Sequence, residues 1–193
     1  MIADPLPQTL LATLASRHDH LCPRQVLGLR MGLYVADLMS MQLPQSGKRL
    51  LTFVETDGCF ADALSVATGC CLGHRTLRLV DHGKVAAVFV DTQTTKSLRC
   101  SPAPDVRAKA ATAFPESQSR WQAQLVGYQQ IPNEQLFVVH EVRPLLDVAA
   151  IIGKPGTRVT CSLCREEILN QREVAQNGQF VCRGCAGDAF WTL

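Results

Sequence analysis

The sequence has little charge: Asp, Glu, Lys and Arg make up 19% of its 193 residues and nearly cancel, leaving +2 at pH 7. No run of five or six Lys or Arg occurs, so the cationic footprint of a phosphate-backbone binder is missing and nucleic acid is not the expected partner. No stretch approaches the ~20 apolar residues of a membrane-spanning helix, so no membrane partner is expected. At the start, MIADPLPQTLLATLASRH places Asp4 and Pro5 where a signal peptide carries positive charge, and Thr9 and Thr13 interrupt its apolar residues. A cytoplasmic location is the expectation. Internal repeats and low-complexity tracts are also missing, which argues against solenoid and tail-like architectures.

Apolar residues account for 47% of the chain, enough at this length for one full core plus a small appendage. Nine cysteines are present. In a reducing compartment they read as metal ligands, reactive thiols or small core residues before they read as disulfides.

Helical spacing of Leu10, Leu11 and Leu14 predicts a first helix over 8–16. A second starts at Pro23, a favoured first-turn residue, and runs to about Met41 with so few polar residues that most of its surface must be buried. RLLTFVET (49–56) reads as a buried strand and CFADALSVATG as a third helix, with Asp62 in its first turn and Gly69 as C-cap. TLRLVD and KVAAVFVDT flank His82-Gly83 and predict a hairpin. Residues 101–130 read as helical, and LFVVHEVRP (136–144) as a last strand. The expected fold is α+β: a first domain over 1–152 with helices on a mostly antiparallel sheet, then a turn-rich segment at 153–157 and a small second domain over 157–193.

In that second domain CSLC and CRGC are two Cys-x-x-Cys pairs separated by 17 residues. Two sulfurs on one tight turn take two corners of a tetrahedron, and a second turn supplies the others. Cys161, Cys164, Cys182 and Cys185 are therefore the expected ligands of a structural zinc ion. Knuckle, hairpin with Asn177-Gly178 at its tip, and a short helix after Cys185 together outline a treble-clef or zinc-ribbon-like finger. Redox-active dithiols are the competing reading, but neither pair sits in a βαβ pattern. Arg165, Arg172 and Arg183 are offset by Glu166, Glu167, Glu173 and Asp188, so the finger has no cationic face.

A second cluster is less obvious. His18, His20 and Cys22 alternate ahead of the second helix, and in extended backbone alternate side chains point the same way. Imidazole and thiolate are zinc or iron ligands, and three from one segment leave a coordination position open. Cys59 stands where the buried strand gives way to the third helix, beside Glu55, Asp57 and Asp62; a helix N-terminus lowers a thiol pKa, favouring ligation or nucleophilic chemistry. Of the adjacent Cys70 and Cys71, one is expected to face this site and the other to pack. Cys100 reads as a small buried hydrophobe, and His74, His82 and His140 lack supporting context.

HDHLCP (18–23), GLRMG (28–32) and VETDGCFADALSVATGCCLGHRTLRLVDHGKVAAVFVD (54–91) together resemble the FmdE family, named for formylmethanofuran dehydrogenase, over about 12–145. The C-terminal four-cysteine segment resembles the finger that many members append. The resemblance implies an α+β domain, often homodimeric, with a metal or active-site pocket formed by His18, His20, Cys22 and Cys59, and Glu55, Asp62 and Cys70 nearby. It also implies association with a molybdenum or tungsten enzyme. One departure is visible: Arg24 follows Pro23 where the family has Gly, which would place a positive charge suited to an oxyanion.

Three functions compete. The first is a metal-binding accessory protein for molybdenum- or tungsten-dependent one-carbon metabolism or metal handling. The second is an enzyme that uses a metal-bound water or Cys59 on a small carbonyl or formyl compound, with Glu55 or Asp62 as base. The third, a zinc-finger regulator, lacks a basic recognition helix.

Overall fold

The computed structural model describes residues 6–18, 20–153 and 156–192, and the chain divides into two units, Met1–Leu146 and Asp147–Leu193. Asp4 and Pro5, and Lys154 and Pro155 of the turn-rich segment, lie outside the described residues.

In the first unit, α1 (Gln8–Ala15) contributes Leu10 and Leu14 to the core, and α2 (Pro23–Leu38) runs through its middle. The GLRMG motif works through helical geometry: Gly28 and Gly32 lie one turn apart on one face, and Arg30, 200° round, lies on the other. A Cβ on Gly28 would stand 2.7 Å from Ala63 Cβ and 2.7 Å from the Phe60 carbonyl; one on Gly32 would stand 2.5 Å from Ala67 Cβ. The glycines thus let α2 press directly onto α3 (Cys59–Thr68). Because Gly28 meets the first half of α3 and Gly32 the second, the two helices run parallel and their N-termini come to the same end. On the other face Arg30, buried, donates to the carbonyls of Tyr128 (2.9 Å) and Ile131 (2.5 Å) at the end of α5 (Arg120–Gln130). It meets the negative end of that helix dipole. Burial pushes its pKa down to about 10.

The helices pack on a five-stranded sheet of order β2-β1-β3-β4-β5, comprising β1 (Leu50–Val54), β2 (Leu77–Leu79), β3 (Ala87–Asp91), β4 (Ser97–Pro102) and β5 (Phe137–Glu141). Leu50, Val54, Leu77, Phe89, Leu98 and Cys100 join the helices in the core cluster. The opposite face carries Phe53, Val88, Arg99 and His140 in one cross-strand row. The sheet is antiparallel except at β1 and β2, which pair in parallel with Thr52 opposite Leu77.

That exception corrects the expected hairpin. The runs on either side of His82-Gly83 are not partners, because β1 lies between them. The connection from 55 to 76, with α3 inside it, is long enough for a parallel crossover, and His82-Gly83 then carries the chain across the end of β1. The Glu55 carbonyl accepts from the His82 N–H (3.0 Å) and the Lys84 N–H (3.1 Å), pinning the turn there. Three further differences are smaller. The second helix ends at Leu38, and β4 occupies the start of a stretch expected to be helical throughout. The helices there are α4 (Val106–Ala113) and α5, followed by the single turn α6 (Asn133–Leu136) ahead of β5.

The second unit begins with α7 (Val148–Ile152), capped by the Asp147 carboxylate accepting from Ala150 N–H at 2.9 Å. Two small antiparallel ribbons follow: β6 (Arg158–Thr160) with β7 (Glu167–Leu169), and β8 (Val174–Gln176) with β9 (Gln179–Val181). The second closes through Asn177 (φ 51°) and Gly178 (φ 74°), the left-handed pair that a two-residue primed turn requires. No described helix is long and apolar enough to cross a membrane.

Candidate metal centres

The knuckle between β6 and β7 carries Cys161 and Cys164, and Ser162 N–H donates to the Phe180 carbonyl (2.9 Å), tying it to β9. Cys182 follows β9 directly, and Cys185 sits in a short helical turn, Gly184–Asp188, that begins before the residues expected to form it and is kinked at Gly187 (φ 114°). The four sulfurs all lie within 4.8 Å of one another. Sulfurs ~2.3 Å from a tetrahedral centre are about 3.8 Å apart, and Cys164 Sγ stands 3.9 Å from Cys182 Sγ. The donor set therefore fits a tetrahedral thiophilic ion such as zinc.

The electrostatics say why a cation belongs there. Burial pushes the Cys161 thiol up, but the backbone N–H groups of Cys182, Cys164 and Leu163 outweigh it and bring its pKa down to about 6. Cys185, crowded first by Cys182 and then by burial, is pushed up to about 12. Four thiolates cannot share so small a volume alone, and a divalent cation replaces the protons that would otherwise separate them.

At the other site, α2 and α3 present their N-termini side by side. Cys22 caps α2: its sulfur accepts from Gln25 N–H, and its own N–H donates to Gln25 Oε1 (2.6 Å). Cys59 is the first residue of α3, and its thiol is near enough to that of Cys22 for the two to interact electrostatically. His18 Nε2 stands 3.0 Å from Asp62 Oδ2, one turn into α3. His20 is exposed and shares with His18 the wall of a cavity of about 340 Å3 floored by Leu11 and Leu14. The backbone bends at His18 and at His20, and Cys22 is extended. Among the described residues only the C-terminal quartet brings three or more potential ligand atoms within 4.8 Å of one another.

Two expectations about this site change. Cys59 does not have a lowered pKa; burial and then the Cys22 thiol raise it, by more than the Cys59 backbone N–H lowers it. Glu55 is no free base. It is buried, and its carboxylate accepts from Arg99 Nε (2.6 Å) and Nη2 (2.8 Å), with His82 Nδ1 3.6 Å away. Arg99 and His82 carried no signal in the sequence, because Arg99 meets Glu55 through β4 lying two strands from β1, and His82 through the turn that crosses the end of β1. Arg24 is exposed and lines none of the described cavities. Of the adjacent cysteines, Cys70 packs, donating to the Leu50 carbonyl (3.4 Å), and Cys71 lines a cavity beside α3.

The ion pair carries a pH signature. The Arg99 hydrogen bonds hold Glu55 below its ordinary 4.5, so the pair's contribution is fully present above that value and is lost as pH falls through the lower folded value. Glu55→Gln is expected to cost about 3 kcal/mol at pH 7, the low end for a broken buried pair, since Arg99 keeps 29% of its side chain in solvent. Urea unfolding of both proteins from pH 7 to 3 checks this: the gap must narrow with acid, and a gap independent of pH would refute the assignment.

These features define an α+β protein with a separate four-cysteine metal module. A model of the family described as "FmdE, Molybdenum formylmethanofuran dehydrogenase operon" matches residues 17–138, and the chain belongs to that family. It is 34% identical over 100 residues to a probable S-adenosyl-L-methionine-binding protein of Archaeoglobus fulgidus, a match that covers 48% of this chain and 27% of that protein. The chain thus spans about a quarter of the length of that relative. The fold is similar to that of a tungsten formylmethanofuran dehydrogenase FmdE-like protein from Syntrophus aciditrophicus, with a TM-score of 0.60, 20% identity and full coverage of both chains.

Proposed function

We propose that this chain is a metal-binding accessory protein whose first unit holds a second metal ion, zinc or iron, through His18, Cys22 and Cys59, with His20 beside them. The observation that carries the reading is the meeting of Cys22 and Cys59 at the N-termini of two parallel helices. Both helix dipoles favour thiolate there, and a bound cation removes the proton that burial otherwise keeps on Cys59. The His18–Asp62 bond occupies Nε2 and leaves Nδ1 for a metal, with the carboxylate orienting the ring from behind. Asp62 then acts as a positioning residue.

Membership of the FmdE family supports a role in molybdenum- or tungsten-dependent formylmethanofuran dehydrogenase-type metabolism through protein contacts. A homodimer in the cytoplasm is the working form. A stand-alone enzyme acting on a small carbonyl or formyl compound is the second reading, favoured by the cavities that flank His18 and Asp62.

Metal analysis of the full chain tests the second site. Two ions per chain are expected, one of them lost in Cys22→Ser and in His18→Ala while the finger keeps its own. A single ion per chain, indifferent to both substitutions, would sink the proposal.

A further inference from the structure

Asp62 also lines a second cavity of about 340 Å3, to which His18 does not contribute and which the metal reading leaves unused. Val54, Ala61 and Leu77 form apolar wall, and Leu72 and Leu79 stand at it with 70% and 49% of their surface in solvent. Its charged lining residues are Asp57 and Asp62, with no Lys, Arg or His among the lining. Asp62 is engaged by His18, whereas Asp57 makes no ion pair among the described residues.

We infer that this cavity binds a small organic cation, a primary ammonium carried on an apolar body. Three features select that class. The volume is in the range of small-molecule sites, whose walls are mostly apolar with few polar groups to orient the ligand. The lining is complementary to positive charge only, although the chain as a whole is slightly basic, so an oxyanion is repelled where a cation is drawn in. The exposed leucines give the body of such a ligand an apolar surface to cover. The α3 N-terminus works against a cation, but with only about half a unit charge, and the two carboxylates outweigh it. A bare metal ion fits poorly, since Asp57, Asp62 and Cys71 do not bring their ligand atoms within 4.8 Å of one another.

The site stands apart from the metal proposal, sharing only Asp62 with it. Titration calorimetry of the full chain with benzylamine, benzyl alcohol and benzoate separates charge from shape. Benzylamine is expected to bind at least tenfold more tightly than benzyl alcohol, with benzoate not detected, and Asp57→Asn is expected to weaken benzylamine about tenfold while leaving metal content and Tm unchanged. Equal affinity for benzylamine and benzyl alcohol, preference for benzoate, no benzylamine binding, or an unaffected Asp57→Asn variant would each overturn the inference. None of these results depends on how many metal ions the chain holds.

Discussion

Cys161→Ser is expected to unfold the finger and leave the first unit standing. Cys161 is fully buried, and its sulfur accepts from Cys182 N–H at 3.3 Å, so it joins the two halves of the site. Among the described residues of this unit, the buried apolar cluster consists of Cys161, Ile168 and Val181. Three side chains cannot offset the ordering of some thirty-five residues, at ~1.5 kcal/mol each, so the metal must supply the deficit. Structural zinc contributes about 10–16 kcal/mol in modules of this kind. The expected results are loss of one metal equivalent and collapse of the amide dispersion of residues 157–192, with the Tm of the first unit within a few degrees of wild type. Retained dispersion in the metal-free variant would show that the finger folds without its ion.

Gly28→Val is expected to destabilise the first unit by forcing α2 away from α3. Its Cβ would meet Ala63 Cβ and the Phe60 carbonyl, both at 2.7 Å. A backbone oxygen cannot rotate aside, so relief requires the helices to part. Overpacking of this kind costs up to about 3 kcal/mol, against a helix-propensity gain over glycine of well under ~1 kcal/mol. A fall in Tm of roughly 10 °C follows for a unit of this size. The separation occurs at the end where Cys22 meets Cys59, so metal bound by the first unit should fall with it. An unchanged Tm would mean that the α2–α3 contact is looser than the glycines imply.

How much of this was legible beforehand depended on the range of the interactions concerned. The clustering of the four C-terminal cysteines was readable because they come in two local pairs, and Asn177 and Gly178 announce their own turn geometry. The expected α+β fold and mostly antiparallel sheet hold as well. The hairpin across His82-Gly83 failed because two strand-like runs around a short turn look alike whether they pair with each other or straddle a third strand. β4 was missed for the same reason: SLRCSP (97–102) has weak local strand character and is a strand because β3 and β5 lie on either side.

Glu55 shows the same limit at the candidate site. Its place after a buried strand and before a cysteine made it look like a catalytic carboxylate, and only the pairing order of the sheet delivers Arg99 to neutralise it. Local spacing announces which atoms are available: four thiols at finger spacing, a His/Cys segment ahead of one helix, a cysteine at the start of another, and small residues that let those helices touch. Tertiary structure alone decided which of these atoms meet. Parallel packing of α2 on α3 brings Cys22 to Cys59 and His18 to Asp62, and the sheet order withdraws Glu55, because long-range contacts arise from burying surfaces and pairing strands that no local spacing encodes.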